Sequence, residues 1–203
     1  MKNLAEIDVY KTADLIVETT FFCNLDCGNC PFHGVQRKLN LDIYLNNLYE
    51  LVAGEIVVLR GGEITTINNW FESFVVPAIN KELLIIIETN GYFIGRDNYY
   101  ELLTKLSHVN VFIRIGFDIS HGPTAEDFSK MAFFAKDAIE SGVRFGFYSV
   151  NMSKNQIKNF LYKTKLEPFL NYFHSLREYI DFSRVKLKGK YLKSDGQLIS
   201  CIY

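Results

Sequence analysis

At 203 residues the chain has room for one domain, or for one domain and a small appendage. Its 48% hydrophobic and 22% charged content calls for a packed core, and a formal net charge of −1 excludes the basic surplus of a nucleic-acid binder. No apolar run reaches the length of a membrane span, and the opening Met1-Lys2-Asn3-Leu4-Ala5-Glu6-Ile7-Asp8 lacks a signal peptide's apolar stretch, so the expectation is no membrane and a cytoplasmic location.

Along the chain, apolar runs of strand length alternate with stretches of helical spacing. Strands are predicted at Leu15–Thr19, Glu55–Arg60, Leu83–Thr89, Val111–Asp118, Val143–Ser149 and Phe182–Lys188. Between them, helices are predicted at about 41–53, 67–80, 97–107, 124–142 and 154–178. Thr124 is positioned to cap the fourth helix and Gly142 to end it. Pro77 should end or kink the second helix, and Pro168 should split the last segment. The run Leu83-Leu84-Ile85-Ile86-Ile87 suits a parallel strand buried on both faces. Six βα repeats imply an α/β fold, a partial (β/α)6 TIM-like barrel of parallel strands with outer helices; a doubly wound open sheet is the competing architecture. Residues 1–190 read as one core domain and 191–203 as a short tail or hairpin.

Three of the four cysteines fall within Cys23–Cys30, directly after the first strand, where α/β folds place their chemistry. With no export signal, clustering of this kind reads as metal ligation and not as a disulfide framework. Thiolates at Cys23, Cys27 and Cys30 can converge on a [4Fe–4S] cubane and leave one iron open. The alternatives are a Cys3His zinc site completed by His33, three metal-free thiols, or Cys201 as a fourth cluster ligand that would close the reactive iron.

The Cys-x3-Cys-x2-Cys spacing after strand one and Gly61-Gly62-Glu63 after strand two together resemble the radical S-adenosylmethionine superfamily. The resemblance runs from the first strand to about residue 188. It implies that Cys23, Cys27 and Cys30 hold the cluster and that the amine and carboxylate of S-adenosyl-L-methionine chelate the open iron. It also puts Gly61, Gly62 and Glu63 near the methionine amine, where glycines permit close approach and an acid suits an ammonium. By the same resemblance Asn90, Asp118, Ser120, Ser149 and Asn151, at the ends of strands three to five, are candidate cofactor contacts, with turn formation as the competing role. Relatives carry an aromatic residue just before the third cysteine. Here that residue is Asn29, which leaves Phe32 or Phe22 to supply the apolar surface near the adenine.

Strand alternation sends Arg114 and Asp118 toward the barrel interior while Ile113, Ile115, Phe117 and Ile119 pack on helices. Arg184 and Lys186 point inward from the sixth strand by the same logic, and Glu18 and Glu88 are candidates for the lumen. Two readings follow. One is recognition of an anionic substrate by Arg114, Arg184 and Lys186; the other is an internal network pairing Arg114 with Asp118 or Glu88. If the last strand lies at an open edge, Arg184, Lys186, Lys188 and Lys190 only guard that edge. Cys201 alone cannot hold a second cluster, so no auxiliary cluster is expected.

The resemblance implies an enzyme that cleaves the cofactor reductively to a 5′-deoxyadenosyl radical, fed by an electron donor such as flavodoxin or ferredoxin. The preferred substrate is a small polar, anionic molecule of a biosynthetic pathway. The competing functions are an activase or maturase acting on a peptide or protein, and a non-catalytic zinc module. Against peptide modification, only about 14 residues precede the first strand, fewer than a leader-binding domain needs.

Overall fold

The computed structural model describes residues 12–27, 30, 37–117, 125–149, 152–164, 168, 172–175 and 190–200. Within them lie strands β1 (Leu15–Glu18), β2 (Ile56–Arg60), β3 (Leu84–Thr89), β4 (Val111–Gly116), β5 (Phe145–Ser149), β6 (Phe173–Ser175), β7 (Lys190–Leu192) and β8 (Leu198–Ser200). The helices are α1 (Leu41–Tyr49), α2 (Val76–Asn80), α3 (Tyr99–Leu106), α4 (Ala125–Glu140) and α5 (Lys154–Thr164).

All eight strands join one sheet in the order β6-β5-β4-β3-β2-β1-β7-β8. Strands β1 to β6 are parallel and lie in sequence order, with no reversal. A doubly wound sheet reverses its strand order at a switch point, so the architecture is the open, TIM-like partial barrel. Core packing agrees. Leu15, Val17, Val57, Leu59, Ile85, Ile87, Ile113, Ile115, Phe145 and Phe147 share one cluster with helix residues such as Tyr44, Leu48, Leu103, Phe134 and Leu161. The intervening strand residues Ile16, Val58, Ile86 and Phe112 form a separate cluster with Ala13 that contains no helix residue. Among the described residues, helices therefore pack on the outer face only, and the other face forms the interior.

Local chemistry sets the element ends. Asn40 caps α1, its side-chain oxygen accepting from the amides of Asp42 (2.8 Å) and Ile43 (3.3 Å). Gly142, at φ 72°, ends α4 and lets the Val143 amide reach the Ala138 carbonyl at 2.8 Å. Helix α3 buries Tyr99, Leu102, Leu103 and Leu106 on one stripe, each side chain contributing about 2 kcal/mol of apolar burial.

Two expectations need correction. Pro77 does not end its helix: it sits in the first turn of α2, directly after a π-helical turn at Phe71–Val75. A first-turn proline has no amide to leave unbonded, which is why it is tolerated there. The sixth parallel strand is Phe173–Ser175, inside the stretch whose spacing suggested helix. Three residues are too few to show a two-residue period. Residues 176–189, including the predicted strand Phe182–Lys188 with Arg184 and Lys186, lie outside the described residues, as does Thr124. Lys190 is not at an open edge, because β7 pairs with β1 on one side and β8 on the other. Its ammonium pairs with Glu50.

Candidate active site at the carboxyl ends of the strands

The segment leaving β1 is clamped before it reaches the cysteines. The Phe21 amide donates to the Arg37 carbonyl (2.7 Å), the Leu39 amide to the Thr19 carbonyl (2.9 Å), and the Thr20 hydroxyl to the Arg37 carbonyl (2.9 Å). The ends of the cysteine loop are thus tied together at its base. Cys23, Cys27 and Cys30 are half-buried and in no disulfide, and the Cys30 amide turns back onto the Cys27 carbonyl at 2.9 Å. Two N–H groups aim at the Cys23 sulfur: the Leu25 amide at 3.4 Å and the Asn90 side-chain amide at 3.5 Å. Burial pushes the Cys23 thiol up, with the charge of Glu63 adding to it, and these two donors oppose the rise. Donors of this kind suit a metal-bound thiolate, which holds its charge on sulfur. Among the described residues no three His, Cys, Asp or Glu side chains are gathered around a point that a single ion could fill. His33, needed for the Cys3His alternative, lies outside the described residues, as do Phe32, Asp118, Ser120, Asn151 and Cys201.

The two glycines after β2 are required by the cysteine loop itself. A Cβ on Gly61, at φ 149°, would stand 2.3 Å from the Thr20 carbonyl oxygen; one on Gly62 would stand 2.1 Å from that of Phe22. The strands come this close because the Gly62 amide donates to Thr20 (2.6 Å) and the Glu63 amide to Phe22 (2.7 Å). From sequence these glycines read as cofactor-side residues or as an ordinary strand-to-helix turn, and their packing role was invisible without the register of β1 on β2.

Glu63 is fully buried. One carboxylate oxygen accepts from the Thr65 amide (3.0 Å), the Thr65 hydroxyl (2.6 Å) and the Thr89 hydroxyl (2.7 Å); the other accepts from the Asn90 amide (2.6 Å). Burial nevertheless pushes its pKa up. The carboxylate expected beside an ammonium is engaged in fastening the β2 loop to the β3 loop. At the end of β5, the buried Ser149 hydroxyl accepts from the Met152 amide at 3.0 Å, the turn-forming role that competed with cofactor contact.

Beneath these loops runs a layer of charge on the interior face. Register places Glu18 beside Arg60 on β2 and Glu88 beside Arg114 on β4. Glu88 holds both arginines, Arg114 at 3.1 Å and Arg60 at 3.6 Å. The Arg114 guanidinium is 1% exposed and also stands 4.8 Å from the centre of the Tyr148 ring. The Tyr191 hydroxyl donates to Glu18, tying β7 to the layer. The network reading of Arg114 with Glu88 is the one the geometry displays. Arg60 was missed from sequence, where it reads only as the lead-in to Gly61; its two-residue spacing from Val58 was the available signal.

No family model matches the chain, and no curated protein matches it in sequence. Solved structures do. SuiB of Streptococcus suis superposes with a TM-score of 0.65 at 14% identity, over 95% of this chain and 61% of that one. The anSMEcpe structure with bound AdoMet and Cp18Cys peptide gives 0.64 at 15% identity, over 94% and 74%. BtrN in complex with AdoMet and 2-DOIA gives 0.59 at 16% identity, again over 94% and 74%. The chain thus spans less than two thirds of SuiB's length, and about half of anSMEcpe in two further structures. The chain has the fold of the radical S-adenosylmethionine enzymes. The cysteine loop and Gly61-Gly62-Glu63, which carried the resemblance in sequence, meet at the carboxyl end of its first two strands.

Proposed function

We propose that the chain is a radical S-adenosylmethionine enzyme whose Cys23, Cys27 and Cys30 hold a [4Fe–4S] cluster. The observation that carries this reading is the convergence on the cysteine loop: two N–H donors reach Cys23, and the Gly61-Gly62-Glu63 backbone is laid against its stem. The cluster would supply one electron to S-adenosylmethionine, whose C–S bond breaks to give methionine and a 5′-deoxyadenosyl radical that takes hydrogen from a substrate.

The protein's own contribution is positioning and exclusion. Glu63 fixes the β2 and β3 loops to each other, and Thr20 and Phe22 fix the cysteine stem to the β2 loop. The charged layer of Glu18, Arg60, Glu88 and Arg114 gives the interior a polar floor, which supports a small polar substrate over an apolar one; its anionic character belongs to the reading of Arg184 and Lys186. Arg184, Lys186, Asp118, Ser120 and Asn151 remain candidates for substrate or cofactor contact within this proposal. An electron donor such as flavodoxin or ferredoxin and a reducing cytoplasmic setting belong to the same reading. No helix among the described residues is long and apolar enough to cross a membrane.

Anaerobic reconstitution tests the cluster directly. About four irons and four sulfides per chain are expected, with the spectrum of a cubane. Single replacement of Cys23, Cys27 or Cys30 by alanine should each abolish it, whereas Cys201→Ala should retain it. Stoichiometric zinc in place of iron would favour the non-catalytic module. Product formation from a peptide and from no small anion would move the assignment to the maturase class.

A further inference from the structure

Asn90 makes contacts that a simple turn residue does not need. Its amide donates to Glu63 at 2.6 Å, and its side-chain oxygen accepts from the Tyr92 amide at 3.0 Å. The Tyr92 amide can only donate, so it fixes which end of the Asn90 side chain is oxygen. The NH2 group is thereby forced to the other side, toward Cys23 Sγ (3.5 Å) and Asn24 Oδ1 (2.9 Å). Both the backbone and the side-chain oxygen are held by the protein, so this donor is pre-oriented and does not have to be recruited.

We propose that Asn90 is a positioning residue for the first cluster ligand, and that its N–H···S hydrogen bond to Cys23 raises the reduction potential of the cluster. The inference rests on the cluster reading above. Electron density on the cluster sulfurs rises on reduction, so a donor aimed at a ligating sulfur stabilises the reduced state more than the oxidised one. The Leu25 amide, at 3.4 Å, is a second donor to the same sulfur, but it is backbone and is fixed by the loop. Asn90 is the donor that a side-chain change can remove, and it comes from the loop after β3. Through Glu63 it links the potential of the cluster to the packing of the β2 and β3 loops.

The test is an EPR-monitored redox titration of reconstituted protein without S-adenosylmethionine or substrate, so that any contact of Asn90 with the cofactor cannot contribute. Asn90→Asp keeps an acceptor for the Tyr92 amide and the backbone bond to Glu63, but replaces the donor by a carboxylate. Its midpoint should fall below wild type. Asn90→Ala removes the donor without adding charge and should fall less. Asn24→Ala frees the NH2 group from its competing acceptor and should leave the midpoint unchanged or raise it. An unchanged midpoint in iron-replete Asn90→Ala overturns the inference, since the fall in Asn90→Asp includes the effect of its added charge. So does an equal fall in Asn24→Ala, which would mean only a disturbed loop. Loss of iron from both Asn90 variants, with wild type replete, reduces Asn90 to a structural residue and also overturns it. Wild-type protein that takes up no iron removes the cluster reading itself, an outcome seen before any variant is compared.

Discussion

A methyl group on Gly62 would have to share space with the Phe22 carbonyl oxygen 2.1 Å away, and neither backbone can retreat without breaking the two backbone hydrogen bonds that join them. Gly62→Ala should therefore cost at least about 1–3 kcal/mol of unfolding free energy and should loosen the cysteine loop, read as faster alkylation of Cys23 in the metal-free protein. Glu18 sets a pH dependence. Burial, the largest influence, holds its carboxyl above the ordinary range despite the Tyr191 hydrogen bond. The folded state therefore binds this proton more tightly than the unfolded chain does. The stability so contributed is complete below the unfolded chain's pKa and is lost as pH rises through the folded one. The stability of wild type minus that of Glu18→Gln should accordingly fall as pH rises from about 4. A difference that grows with pH would contradict the assignment.

At the scale of the element, the strands matter by register. Glu88 reaches both arginines because β2, β3 and β4 place Arg60, Glu88 and Arg114 side by side on one face. Removing Glu88 takes the ion-pair partner away from the buried Arg114 guanidinium and from the partly exposed Arg60, so Glu88→Gln should cost about 3–5 kcal/mol. Glu88→Gln with Arg114→Met should cost less than Glu88→Gln alone, since the buried Arg114 charge that lost its ion-pair partner is gone. Denaturant unfolding of the single and double variants measures the coupling; additive effects would show that Arg114 and Glu88 do not act as a pair. Alternation within Val111–Gly116 was enough to place Arg114 inside, because Ile113 and Ile115 could only go to the helices. The same logic overlooked Arg60, since its neighbour Gly61 drew it into a loop motif. It also failed for β6, since three residues such as Phe173-His174-Ser175 carry no period. Pro77 misled for a local reason: a proline inside an apolar helical pattern signals a break unless the preceding turn is widened, and no residue pattern announces the π-turn at Phe71–Val75.

For the molecule as a whole, the alternation of apolar runs and helical stretches sufficed for the α/β class. The choice between barrel and doubly wound sheet needed the strand order and the confinement of helices to one face. The two segments of the candidate site, Cys23–Cys30 and Gly61-Gly62-Glu63, stood out in sequence by their residue types and spacing, and backbone hydrogen bonds join the stem of the first to the second. The wiring of the site was not legible, since the bonds from Glu63 to Thr89 and Asn90, and from Asn90 to Cys23, span 26 to 67 positions of sequence. One measurement bears on the whole account: the reconstituted protein is reduced anaerobically with S-adenosylmethionine, and 5′-deoxyadenosine is followed by chromatography. Release of 5′-deoxyadenosine and methionine that depends on reductant, and that is lost in Cys27→Ala, is the predicted result. An iron-replete, reduced protein that leaves S-adenosylmethionine intact would contradict the account.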